Sequence, residues 1–385
     1  MEPNRQISLV RRALAHVEQR TTDTGAGPST VAARTYLDDE RFAREQERLF
    51  RALPIAVAHV SELPSPGSFV THDASGVPLL VVRGDDLEVS AFLNVCRHRG
   101  TRVEDAPCGR DKKAFVCPYH AWSYGRDGSL LGIPHAEGFA GIERSARGLV
   151  RVPAGVAGGL VWVRLSRASS ESDARLDARA WLGPLAEDLA GFGLATSHVY
   201  APRTFAKAMN WKLAIDVFLE AYHLRTAHKD TIYGIFFDNL GLVDRVGPHL
   251  RNVFPKRSIK SLASRPDEDL AAALRTHGNV LFHLFPNTLV LVQPDHAAVV
   301  HVWPDGPART RFTSYTVVPE LPATDQARAH WDLNNDILYR ATEEDFAMGE
   351  SIQRGLSSGA NVDLVFGSFE HSNAHFHAEI ASRLA

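Results

Sequence analysis

Two short segments in the first third of the chain are spaced for metal chemistry. Cys96-Arg97-His98 is followed, after an 18-residue gap, by Cys117-Pro118-Tyr119-His120. Each segment offers one thiolate and one imidazole. Two thiolates can hold one iron and two neutral imidazoles the second iron of a 2Fe–2S cluster; the exchange removes negative charge and raises the potential, to about −150 to +300 mV. Gly100 and Pro118 suit the two tight loops that must aim four side chains at one small volume. A zinc finger instead groups its cysteines two to four apart and its histidines three to five apart. Zinc, or no metal, is the alternative that the spacing leaves. Cys108 lies between the loops with no histidine at ligand spacing and reads as a structural or surface thiol.

A second constellation follows. Residues 209–223, MNWKLAIDVFLEAYH, predict a helix on which Asp216, Glu220 and His223 fall within about 60° of one another. Their neighbours are largely apolar, so the stripe is costly to bury unless it is paired or binds metal. A structural acid–histidine pair would answer that cost too. His228 lies five residues beyond His223, about 140° further round a regular helix, so the helix must end or bulge between them for both to reach one ion. Two histidines and one carboxylate with open positions form the facial triad of non-haem Fe(II) oxygenases, where O2 and substrate both approach the metal. The carboxylate is sought downstream, in EEDFAMGESIQRGL. On a helix Asp345 shares a face with Leu338, Ala341, Met348, Ile352 and Leu356, whereas Glu343 and Glu350 sit with Asp336, Arg340 and Arg354. An acid on the apolar face needs a partner, which selects Asp345, with Glu344 as the alternative.

These residues need elements to position them. In 385 residues with 44% apolar and 23% charged content there is room for two domains with sizeable cores. A helical segment is expected over residues 1–55, with a Gly/Pro/Ser/Thr loop near 21–30. Residues 56–165 alternate short β-rich runs with Gly, Pro and Asp turns, as in an all-β domain. Residues 166–180 are polar and mark a boundary, and 166–385 reads as a domain with a long helix over 323–356 and strands over 280–318. The fold class is α+β, helices packed on an antiparallel sheet. The net charge of −3 and the lack of a basic cluster argue against nucleic acid. No run approaches the ~18–20 apolar residues of a membrane span. The first twenty residues lack the apolar core of a signal peptide. Three cysteines make no disulfide framework, and a cytoplasmic location is the expectation.

The strings NVCRHRGTRV, FVCPYHAWSYGRDGSL and NWKLAIDVFLEAYHLRTAH closely resemble the large subunits of aromatic-ring-hydroxylating dioxygenases, within the Rieske non-haem iron oxygenases. The resemblance runs from YLDDERFAREQERLF to FEHSNAHFHAEI. It implies a Rieske domain with its 2Fe–2S cluster on Cys96, His98, Cys117 and His120, and a helix-grip catalytic domain with Fe(II) on His223, His228 and Asp345. It also implies a head-to-tail homotrimer in which Glu220 links His223 to His120 of the partner subunit, with Asp216 supporting that path or the helix. Electrons would come from a separate ferredoxin or flavin reductase. The Gly155–Gly159 stretch is no dinucleotide fingerprint, since it opens no helix. Many members carry Asp where this chain has Glu220; Glu resembles the branch acting on carnitine and choline. The expected substrate is an aromatic compound or aromatic acid, oxidised with O2, and a quaternary ammonium compound is the alternative. An electron-transfer Rieske protein and a zinc-binding protein are the competing classes. His371, His375 and His377 are expected on a helix surface or at an interface.

Overall fold

The computed structural model describes every residue except Ser75 and Glu171. The chain forms two compact units, Met1–Leu49 with Gly183–Ala385, and Phe50–Leu182.

The Phe50–Leu182 unit is built from short antiparallel strands. A five-stranded sheet runs in the order Arg151–Val152, Val89–Leu93, Val77–Arg83, Phe69–Ala74 and Cys108–Gly109. A three-stranded sheet joins Ala154–Ala157, Leu160–Val163 and Ile55–His59, and another joins Phe115–Val116, Ser123–Tyr124 and Leu130–Gly132. Phe69, Leu80, Val82, Phe92, Phe115 and Tyr124 share one core with Cys96 and Cys117. The expected boundary near residue 166 falls later. The polar stretch after Leu165 returns along the sheet: Ala154 N–H donates to Ala174 O (3.0 Å) and Leu176 N–H to Ala154 O (2.9 Å). Polarity marked an exposed segment there, and backbone pairing keeps it with the β unit.

The second unit centres on a seven-stranded antiparallel sheet. Its order is His198–Lys207, Thr310–Val318, Ala297–Pro304, Thr288–Val292, Gly278–Leu284, His249–Pro255 and Leu242–Val246. Alternation along the strands sorts the side chains onto two faces. One face carries Val253, Val280, Phe282 and Val290, with Phe282 meeting Phe192 edge-on. The other carries Asn252, Phe254, Asn279, Leu281, Leu291, Phe312 and Thr316, and the long helix Asp325–Leu356 packs here through Phe346 on Phe312 and a hydrogen bond between Thr316 and Asn335.

The N-terminal segment is fastened to this unit by buried polar groups. Glu45, fully buried, accepts from Lys212 Nζ (2.7 Å), Trp211 Nε1 (2.9 Å) and Arg41 Nε (3.1 Å). Burial pushes the Lys212 amine down to about 8, against the pull of Glu45. The strand Ser29–Ala32 pairs with Asp363–Phe366, joining the two ends of the chain.

Candidate metal centres

The two Cys/His loops are built alike. Cys96 N–H donates to Thr101 O and Gly100 N–H returns to Cys96 O; Cys117 N–H donates to Trp122 O and Ala121 N–H returns to Cys117 O. The residue four beyond each cysteine turns the chain with positive φ, +84° at Gly100 and +58° at Ala121. Both thiols are buried. The rings of His98 and His120 lie 4.7 Å apart, and Trp122 stacks on His98 at 4.9 Å. Nδ1 of each histidine is buried with no hydrogen-bond partner. Buried polar atoms are rarely left so, and two thiols with two such imidazole nitrogens fit the donor set of a 2Fe–2S cluster with mixed ligands.

Tyr124 completes this site and was not singled out from sequence. Its oxygen accepts from Arg97 N–H (2.9 Å), so its one proton is left for Cys96 Sγ at 3.2 Å. Burial first, then the Cys96 thiol, pushes its phenol well up, keeping it a donor. Cys108 is exposed at the sheet edge, away from this core.

In the other unit the expected helix over 209–223 is interrupted. Asn210 caps a short helix, Trp211–Asp216, whose side-chain oxygen accepts from Lys212 N–H. The chain then turns and resumes as one helical turn, Leu224–Ala227, with His223 at its start and His228 just past its end. The break therefore lies before His223 as well as before His228. Helical periodicity placed Asp216, Glu220 and His223 on one stripe; the turns separate Asp216 from the other two.

Both imidazoles are clamped by carboxylates at Nδ1. Glu220 Oε1 meets Nδ1 of His223 in a short contact, and Glu344 Oε2 lies 2.7 Å from Nδ1 of His228. Both Nε2 atoms are thereby turned onto Asp345 Oδ1, at 3.4 Å from His223 and 2.9 Å from His228. Among the described residues, His223, His228 and Asp345 are the group whose ligand atoms converge, all within 4.8 Å of one another. Burial alone would lower both histidine pKa values, yet the carboxylates outweigh it and both are raised. A site that holds protons against burial has negative charge to spare, which a divalent cation would use. The donor set fits non-haem iron.

The runner-up acid, Glu344, thus grips the far side of a histidine, and its oxygen also accepts from the Thr231 hydroxyl (2.7 Å). Asp345 is buried, but the face argument that selected it needs correction. The buried stripe of the long helix runs through Ala341, Thr342, Asp345, Phe346, Gly349 and Gln353, while Met348 and Ile352 are exposed. Glu343 and Glu350 reach Lys207 and Ala208 N–H.

Asp216 lies outside the cavity beside the histidines. It accepts from the Tyr36 hydroxyl (2.8 Å) and from Asn373, with His377 Nε2 at 2.9 Å. His377, expected on a helix surface or at an interface, is buried in this cluster; its helix, His371–Leu384, turns that edge inward, where Asp216 takes it as a partner. His371 and His375 are half-buried.

The cavity is lined by Phe218, Phe236, Phe254, Leu281, Leu291 and Asn279, with Glu220, both histidines and Asp345 on one side. None of the described residues lining it is a lysine or arginine.

Residues 54–146 match the Rieske [2Fe-2S] domain and residues 194–385 the catalytic domain of the ring hydroxylating alpha subunit. The carnitine monooxygenase oxygenase subunit of Escherichia coli (strain K12) is 30% identical, over 91% of this chain and 93% of that protein. The glycine betaine monooxygenase oxygenase subunit of Chromohalobacter salexigens is 29% identical over 84% and 79%. A crystal structure of the quaternary ammonium Rieske monooxygenase CntA with an inhibitor superposes with a TM-score of 0.80 at 22% identity, covering 92% of this chain and 95% of that one. No helix of the described residues is long and apolar enough to cross a membrane.

Proposed function

The chain belongs to the Rieske non-haem iron oxygenases, and on that premise we propose that it is a terminal oxygenase that hydroxylates a small N-methylated ammonium compound, with C–N cleavage where the hydroxyl falls beside nitrogen. The observation that carries this is the turning of both Nε2 atoms onto Asp345 at the wall of a largely apolar cavity. The aromatic substrate expected from sequence gives way to the alternative, because the relatives reported above act on carnitine and glycine betaine.

The cavity supports the ammonium reading independently. Glu220 and Asp345 line it and no lysine or arginine among the described residues does, which suits a substrate cation. Phe218, Phe236 and Phe254 offer the aromatic faces that attract a desolvated ammonium.

In this reading Cys96, His98, Cys117 and His120 hold the cluster, and His223, His228 and Asp345 the mononuclear iron. Bound there, the two centres supply single-electron storage and O2 activation. The chain's own part is positional. Glu220 and Glu344 fix the tautomers of the histidines and point Nε2 inward. The apolar walls keep water from the oxidised carbon. We assign Glu220 a second task, joining His223 to His120 of the partner subunit in a homotrimer, with a ferredoxin or flavin reductase as electron donor.

The test is oxygen uptake with a generic reductase across methylammonium compounds and aromatic carboxylates, repeated with Asp345→Ala. Uptake coupled to ammonium oxidation is expected, lost in the variant along with mononuclear iron while the rhombic EPR signal of the reduced cluster persists. Turnover of aromatic carboxylates alone refutes the substrate class, and turnover by the variant refutes the ligand.

A further inference from the structure

One polar side chain in the cavity wall is left unsatisfied by the protein. Asn279 stands on the strand Gly278–Leu284 opposite Phe254, on the face that carries Leu281, and its Oδ1 is buried without a hydrogen-bond partner. An amide oxygen buried in this way is costly, and native structures keep such a group where something else supplies the partner. The walls around it are apolar: Phe254, Leu281 and Leu291, with Phe218 and Phe236.

The charged side chains lining the cavity are already committed. Nδ1 of His223 and His228 is held by Glu220 and Glu344, and Nε2 of both by Asp345. Among the described lining residues none carries a free positive charge. A carboxylate entering this space would shed water, find no lysine or arginine in the walls to replace it, and lie near Glu220 and Asp345. Burying an unpaired charge costs far more than burying a neutral hydroxyl that finds one hydrogen bond.

Resting on the ammonium reading above, we propose that Asn279 reads the end of the substrate remote from its ammonium group, and that this end is a neutral hydrogen-bonding group such as a hydroxyl rather than a carboxylate. The phenyl rings take the methyl groups; the Asn279 amide accepts the hydroxyl proton. The cavity thereby separates two compounds of one shape, choline and glycine betaine, which differ at the terminal carbon alone.

Anaerobic isothermal titration of the iron-loaded oxygenase with choline, glycine betaine and tetramethylammonium tests this without turnover. Choline is expected to bind at least about tenfold tighter than glycine betaine. Asn279→Leu is expected to weaken choline about tenfold, the worth of one hydrogen bond near the top of its usual range, and to leave tetramethylammonium unchanged, which also reports that the variant is folded. Glycine betaine binding as tightly as choline overturns the proposal and leaves the ammonium reading standing. So does an Asn279→Leu variant that loses nothing, or loses all three alike. If none of the three binds while benzoate does, the ammonium reading itself falls.

Discussion

Glu344 and His228, 116 residues apart in sequence, are joined by a 2.7 Å contact that fixes which nitrogen of the imidazole faces the cavity. A carboxylate that takes the Nδ1 proton leaves the Nε2 lone pair for a metal held between His228 and Asp345, and raises its basicity. Replacing Glu344 with Ala should therefore weaken Fe(II) binding about ten- to a hundredfold. Equilibrium dialysis of the anaerobic protein would measure it, with the EPR signal of the reduced cluster unchanged. Wild-type iron affinity in the variant would show that the contact is incidental.

Tyr124 hydrogen-bonds to Cys96 Sγ, and donors to sulfur favour the reduced, more negative cluster. Tyr124→Phe should lower the cluster potential by on the order of 20–60 mV, the equivalent of one modest hydrogen bond in a one-electron couple. Spectroelectrochemistry reads this directly; a potential that rises or stays fixed would count against the bond.

Glu220 touches His223 and is assigned the link to the partner subunit's cluster. In Glu220→Ala the cluster should still take up an electron from dithionite, yet its reoxidation in a single turnover with substrate and O2 should slow by tenfold or more, on the order expected for a lost partner of a metal-bound histidine. Iron analysis beside the kinetics separates slow transfer from lost metal. Reoxidation at the wild-type rate would remove Glu220 from the path.

His283 lies in the central sheet with Nε2 3.1 Å from Pro286 O and Nδ1 buried without a partner. Burial pushes its pKa down to about 3. The unfolded chain takes up this proton near pH 6.5 and the folded one refuses it, so stability falls as pH drops from about 6.5 toward about 3, by about 1.4 kcal/mol per pH unit once well below 6.5. His283→Gln can keep a donor for Pro286 and cannot titrate. Between about pH 7 and about pH 5 its loss of unfolding free energy should be smaller than wild type by about 2 kcal/mol, read from urea titrations. Equal losses would place the acid sensitivity elsewhere.

The pairing of one cysteine with one histidine in each loop was legible because the ligand spacing is local, set by turns of four residues that Gly100 and Pro118 announce. The strands over 280–318 were legible too, their apolar runs being long and bounded by turn residues. The break between Asp216 and His223 was less so. The segment is apolar enough to read as one helix, and what interrupts it is the tertiary demand of the site rather than a Pro or Gly in the run. The burial of His377 was missed for a related reason: three histidines near a chain end look solvent-facing until Asp216 and Tyr36, from distant segments, are brought to meet one of them.

Sequence alone determined the local part of the chemical inventory: two thiols and four imidazoles at spacings that side-chain donors can use, because residue identity is covalent and spacing along a turn is short-range. Tertiary structure decided the division of labour among the carboxylates. Glu220 and Glu344 hold Nδ1, Asp345 faces both Nε2 atoms, and Asp216 anchors Tyr36 and His377. It also decided that Asn279 reaches the cavity with its oxygen unpaired. Which acid faces a metal, a histidine or a substrate depends on how a sheet, a broken helix and a long helix from separate parts of the chain pack together, and no local pattern carries that information.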